Sequence, residues 1–104
     1  RMKGISCREV YDKIRAGEKP FLIDTRWPEE FEEMRLGIGE TLIPLGAIRK
    51  RLKELPEDKN KEIFCFCKIS LRGYEAALAL EGNGWKNVKV MEGGIMAWPY
   101  PREK

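Results

Sequence analysis

The chain contains no histidine, and only three of its 104 residues are cysteine. Three is an odd count, and Cys65 and Cys67 stand one residue apart, so no disulfide framework is expected. With Cys7 as the one further thiol and no imidazole, the pair falls short of a four-ligand zinc site, and no structural metal is expected. Long apolar runs are missing as well. The longest extend over a few residues, against the roughly 20 that a membrane helix needs. The opening Arg1-Met2-Lys3-Gly4 lacks the apolar stretch of a secretory signal, so the expectation is a cytoplasmic protein with reduced cysteines and no membrane partner. Neither charge dominates: 20 basic and 17 acidic residues, a net charge of +3, are mixed along the chain. The basic run Arg49-Lys50-Arg51 with Lys53 is interleaved with Leu52 and Leu55, and no aromatic residues alternate with it as base stacking would require. Nucleic acid is therefore not an expected partner.

What is present is an ordinary globular composition, 42% hydrophobic and 36% charged, of a size for one domain spanning residues 1–104. No internal repeat or low-complexity segment interrupts it. Ser6-Cys7-Arg8-Glu9 has the capping-box form, and Val10, Tyr11 and Ile14 give the following helix an apolar face that Gly17 ends. Residues 21–24 read as a short buried strand. Pro28 suits the first turn of a helix through Glu29–Met34, ended by Gly37. Leu42-Ile43 reads as a brief strand closed by Pro44, and residues 46–55 as an amphipathic helix ended by Leu55-Pro56. Ile63 to Phe66 is wholly apolar, as a strand covered on both faces must be. A helix from the following loop to about Leu80, a stop at Gly82-Asn83-Gly84 and a last strand at Val88-Lys89-Val90 complete the pattern. Strands alternating with helices imply crossover units, hence an α/β fold with a central parallel sheet and helices on both faces.

In such sheets ligands bind where strands end and helices begin. Cys67 stands there, between the strand Ile63–Phe66 and the helical stretch Tyr74–Leu80. Unpaired backbone N–H groups and the helix dipole favour a thiolate at that position, which makes Cys67 the candidate nucleophile, partly exposed in its loop. Arg72, at the end of the loop, can add positive charge beside the sulfur or clamp an anionic substrate. Lys68, Ile69, Ser70 and Leu71 complete the loop as candidate substrate-binding residues, and Gly73 lets chain and ligand approach closely. Cys65, inside the apolar strand, reads as a core residue, with a resolving thiol as the alternative; Cys7 has no expected chemistry. Asp24 and Arg26 read as a structural pair holding the cleft rim. Trp98 reads as a core anchor, Gly93-Gly94 as a tight turn, and Trp27 and Trp85 as partly exposed.

Cys-x4-Arg after an apolar strand resembles the active-site loop of the rhodanese family of sulfurtransferases. Three further stretches resemble that family in the same order: Phe21-Leu22-Ile23-Asp24-Thr25-Arg26 with Glu30-Phe31, then Ile43-Pro44-Leu45, then Met91-Glu92-Gly93-Gly94-Ile95-Met96-Ala97-Trp98. The Gly-His-Ile segment of many members reads Arg35-Leu36-Gly37 here, so any role of that histidine cannot be carried over. Cys67 to Ala76 is most similar to the loop of rhodanese domains fused to flavin-dependent pyridine nucleotide-disulfide oxidoreductases, with Ser70 where glycine is common.

The resemblance implies the rhodanese-like three-layer fold. It also implies a Cys67 that carries sulfane sulfur as a persulfide, cradled by the backbone amides of residues 68–73. The partners it implies are a small-molecule sulfur donor and a thiol acceptor, or a flavin-dependent oxidoreductase domain in a fused setting; no cofactor is implied. Related dual-specificity phosphatases have a loop one residue longer, so the loop here is sized for sulfur. A binding or regulatory module that keeps the fold without turnover is the competing reading.

Overall fold

Five strands, Lys3–Ile5 (β1), Phe21–Asp24 (β2), Thr41–Leu42 (β3), Ile63–Phe66 (β4) and Val88–Met91 (β5), form one sheet in the order β1-β5-β4-β2-β3. Every pairing is parallel. The computed structural model describes residues 2–103. Arg1 and Lys104, the ends of the expected domain, lie outside the described residues.

Strand β4 lies at the centre, paired with β2 through Leu22↔Phe64 and Asp24↔Phe66 and with β5 through Cys65↔Val90. All four of its residues are buried, as its unbroken apolar sequence requires. Alternation along the strand sends Ile63 and Cys65 into one core with Ile48, Leu55, Ala76, Ala77 and Leu80. Phe64 and Phe66 enter the other core, with Val10, Leu36, Met91, Ile95 and Trp98. Helix α3 (Leu71–Gly82) covers the first face and helix α1 (Cys7–Arg15) the second, giving three layers.

The start of α1 is set locally. The Ser6 hydroxyl accepts from the Glu9 N–H at 3.0 Å, and a Glu9 carboxylate oxygen accepts from the Ser6 N–H at 3.2 Å. Helix α2 (Pro28–Glu33) has Pro28 in its first turn, as expected, and ends before Met34, short of the anticipated stop at Gly37.

Three expectations need correction, and one strand is added. The amphipathic segment 46–55 is two short 3-10 stretches, Leu45–Lys50 and Leu52–Glu54, divided at Arg51. Pro44 supplies no capping side chain and Gly46 weakens helix preference, so burial of Ile48 and Leu55 positions the segment without completing an α-helix. The short strand before Pro44 pairs through Thr41 and Leu42, one residue earlier than expected. Trp85 is buried, its indole N–H donating to the Pro56 carbonyl at 2.9 Å. Strand β1 was not anticipated, because three edge residues with one buried side chain carry almost no periodic signal. No helix among the described residues is long and apolar enough to cross a membrane.

Candidate active site

Cys67 follows the last residue of β4, at the carboxyl edge of the sheet, and α3 begins four residues later. The chain turns back over the thiol, and the Ser70 N–H donates to the Cys67 sulfur at 3.0 Å. The amides of Leu71, Arg72 and Gly73 follow in the first turn of α3, where backbone donors have no intrahelical acceptor. The amide that meets the sulfur is thus that of the α3 N-cap, Ser70. The loop is pinned from the far side by the 3-10 turn Ile95–Ala97: the Ile95 N–H donates to the Cys67 carbonyl at 2.9 Å and the Met96 N–H to the Lys68 carbonyl at 3.0 Å. Gly94, at φ +60°, makes that contact possible, because a Cβ there would collide with the carbonyl oxygens of both Cys67 and Lys68.

This tight wrapping corrects one expectation. Cys67 is 1% exposed, not partly open to solvent, because residues 68–72 close over it. The loop side chains divide accordingly. Lys68, Ile69 and Leu71 are exposed, the last two at 64% and 69%. Gly73 is buried against the sheet instead of facing a ligand; a Cβ there would lie 2.8 Å from the Phe66 Cα. A cleft of about 170 Å³ lies beside the loop, lined by Thr25, Trp27, Pro44, Leu45, Gly46 and Arg72. Arg72 is the loop residue that reaches it.

Ser70 is the one non-glycine residue at positive φ among those described, at 93°. A side chain in that region costs about 1–2 kcal/mol, which explains why glycine suits the position. Its hydroxyl offsets part of that cost by donating to the Met91 carbonyl at 2.8 Å, tying the loop to the end of β5. Ser70→Ala keeps the strained backbone and loses the bond, so it is expected to destabilise by about 1–2 kcal/mol. Ser70→Gly relieves the strain and is expected to be nearly neutral. Urea unfolding of the two variants checks this; equal losses would show that the backbone conformation carries no cost.

Arg72 is gripped at both terminal nitrogens by Glu30, at 2.8 and 3.3 Å. The hydrogen bonds from Arg72 chiefly hold the Glu30 carboxyl down to about 2, from an ordinary 4.5, with the Trp27 N–H adding to the effect. The same pairing raises Arg72, with a smaller contribution of the same sign from the Cys67 sulfur. Because the carboxyl is depressed in the folded state, its contribution to stability is complete above about pH 4.5 and is lost as pH falls toward 2. Over that window the wild type is expected to lose roughly 1–2 kcal/mol more than Glu30→Gln, allowing for solvent screening of a partly exposed pair. Denaturant unfolding across the pH series measures it, and parallel curves would contradict the assignment.

Glu30 was visible in the sequence only as half of an acidic-aromatic pair; that it holds Arg72 depends on contact across 42 residues. Behind it stands a buried frame. Arg26 Nη2 donates to Asp24 at 2.9 Å and to the Met34 carbonyl at 2.7 Å, while Arg26 Nη1 reaches the Glu30 carbonyl at 3.4 Å. Thr25, also buried, donates from its hydroxyl to the Phe66 carbonyl at 2.9 Å, one residue before the thiol. The structural reading of Asp24 and Arg26 thus describes their place: they brace the wall of the cleft.

The other thiols lie apart from this chemistry. Cys65 is fully buried in the core, and desolvation pushes its thiol up to about 12. Burial also raises Cys7, whose sulfur lies 3.8 Å from the carbonyls of Glu92 and Gly94. Trp98 is a core side chain, and Gly93 and Gly94 form the turn at positive φ, both as expected.

A family model described as Rhodanese-like domain matches residues 6–99. The YtwF protein of Bacillus subtilis (strain 168), whose name places it provisionally among sulfurtransferases, is 36% identical over 102 residues, 93% of this chain and 90% of YtwF. Among solved structures, the rhodanese-like domain protein from Staphylococcus aureus has a TM-score of 0.88 at 27% identity, covering 98% of this chain and 97% of that one. A NAD-dependent persulfide reductase from A. fulgidus has a TM-score of 0.73 at 34% identity; the match covers 95% of this chain but 16% of the reductase.

Proposed function

The chain belongs to the family of rhodanese-like domains, and from that premise we propose that it moves sulfane sulfur from thiosulfate or a persulfide to a thiol through a Cys67 persulfide. A sulfurtransferase role is supported by the family and by the name of YtwF. The observation that carries the assignment to Cys67 is the Ser70 N–H directed at its sulfur from 3.0 Å, at the start of α3. A backbone donor held by the fold favours the anion without reorganising when charge arrives.

In the first half-reaction the Cys67 thiolate attacks the outer sulfur of thiosulfate. A new S–S bond forms, the S–S bond of the donor breaks, and sulfite leaves with its electron pair. A persulfide donor reacts in the same way and releases a thiolate. In the second half an acceptor thiolate attacks the outer sulfur of the Cys67 persulfide, becomes a persulfide itself, and restores the Cys67 thiolate. Cyanide can replace that acceptor in vitro and leaves as thiocyanate. No net oxidant is consumed, and the enzyme carries the group between two displacements. Lys68, Ile69, Ser70, Leu71 and Arg72 form the substrate-facing loop in this reading, and Gly73 sets how near α3 stands to β4. In a setting fused to a flavin-dependent oxidoreductase domain, that domain would be the acceptor of the Cys67 sulfur.

Mass spectrometry after thiosulfate or persulfide treatment tests the proposal: Cys67 is expected to gain the mass of one sulfur atom, lost again on adding cyanide. The 1% exposure of Cys67 favours a second reading, a non-catalytic binding module. An unmodified Cys67 after both donors would support that alternative and defeat the first.

A further inference from the structure

Arg72 is the loop cation that lines the cleft, yet its charge is already matched. Both carboxylate oxygens of Glu30 meet both terminal nitrogens of Arg72, and each side chain is 29% exposed, at the edge of the cleft beside the loop. The grip is built in from Glu30's side. One of its carboxylate oxygens also accepts the Trp27 N–H at 2.8 Å, and Glu30's backbone carbonyl is held by Arg26, itself locked to Asp24. Glu30 occupies the third position of α2, behind Pro28, so swinging it aside would break a helix cap as well as an ion pair. A free guanidinium at the mouth would suit a doubly charged donor with an oxyanion head. A guanidinium whose charge is matched and whose Nη1/Nη2 edge is taken by a fixed carboxylate suits it less.

We propose that Glu30 is a specificity-determining residue that acts through Arg72, setting the site against oxyanion donors such as thiosulfate and toward persulfides. This rests on the sulfur-transfer reading and adds to it which donor class the cleft prefers. A thiosulfate sulfonate must displace the carboxylate from Arg72 or bind beside it, with like charges opposed. A persulfide on an uncharged carrier presents its outer sulfur to Cys67 and needs nothing from Arg72. The pair also holds the guanidinium near the sulfur, so Glu30 orders Arg72 while limiting what it can bind.

The test compares two donors, thiosulfate and the persulfide of 2-mercaptoethanol, with cyanide as acceptor and the intact chain as enzyme. Glu30→Gln keeps an acceptor for the Trp27 N–H and removes the charge. It is expected to lower KM for thiosulfate by about tenfold, with the persulfide parameters changed by less than about twofold, since a single close charge contact changes binding by about that order. Glu30→Asp retains the charge but is too short to hold both nitrogens, and should lower the thiosulfate KM by a smaller factor; it also serves if the first variant fails to fold. Adding Arg72→Met to Glu30→Gln should erase the gain. An unchanged or raised thiosulfate KM in the Glu30 variants, or a gain that survives without Arg72, overturns the proposal. If the wild type accepts sulfur from neither donor, the sulfur-transfer reading falls and this inference with it; if it loads from both and the donor ratio ignores Glu30, this inference alone falls.

Discussion

Cys67→Ser is expected to reduce sulfur transfer below about one-thousandth of the wild-type rate while the protein stays folded. A serine oxygen can still accept the Ser70 N–H and is close in size to the thiol, so the loop should keep its form. What the variant loses is the polarisable sulfur nucleophile that forms the S–S bond. The measurement is thiocyanate production from thiosulfate or a persulfide, with circular dichroism melting as the control for folding. Cys65→Ser and Cys7→Ser should keep turnover, since both thiols are buried in packed surroundings and raised by desolvation. Turnover that persists in Cys67→Ser and vanishes in Cys65→Ser would move the nucleophile two residues back.

Asp24→Ala should destabilise the fold by about 3–5 kcal/mol. The carboxylate is fully buried and accepts from the Arg26 side chain at 2.9 and 3.1 Å and from the Arg26 backbone N–H at 3.0 Å. Removing it leaves a guanidinium enclosed without its counter-charge, which is costlier than never having buried either group. For a domain of this size the melting temperature should fall by some 15 °C or more. Replacing both partners, Asp24→Leu with Arg26→Met, should recover much of that loss, although the carbonyls of Met34 and Glu30 would then lack their donor. A loss below about 1 kcal/mol in Asp24→Ala would show that the pair is not the brace described here. Because Arg26 also holds the Glu30 backbone, the variant should loosen the Glu30–Arg72 contact.

The elements best read in advance were those with local signatures. The capping box at Ser6 and Glu9, the unbroken apolar β4 and the tight turn at Gly93-Gly94 each carry a signature within a few residues. The family, too, was legible, because its motifs keep their order around one cysteine loop. Other features were hidden for a common reason. The three-residue β1 pairs with a strand more than eighty positions away, and the segment 45–54 is held in place by burial of Ile48 and Leu55 in the core and not by a complete α-helix. Arg72 was placed in the right loop, but its engagement by Glu30 could not be read from spacing.

By itself, then, the order of residues determined the layered parallel architecture and the position of a thiol at a strand end before a helix, since pleat, helical period and caps are properties of adjacent residues. Tertiary packing alone decided that the thiol lies covered by its own loop, that Ser70 bends into a strained conformation to give it an amide, and that the nearby cation is already matched by a carboxylate. Those are distances between groups far apart along the chain, and only the closed core brings them together.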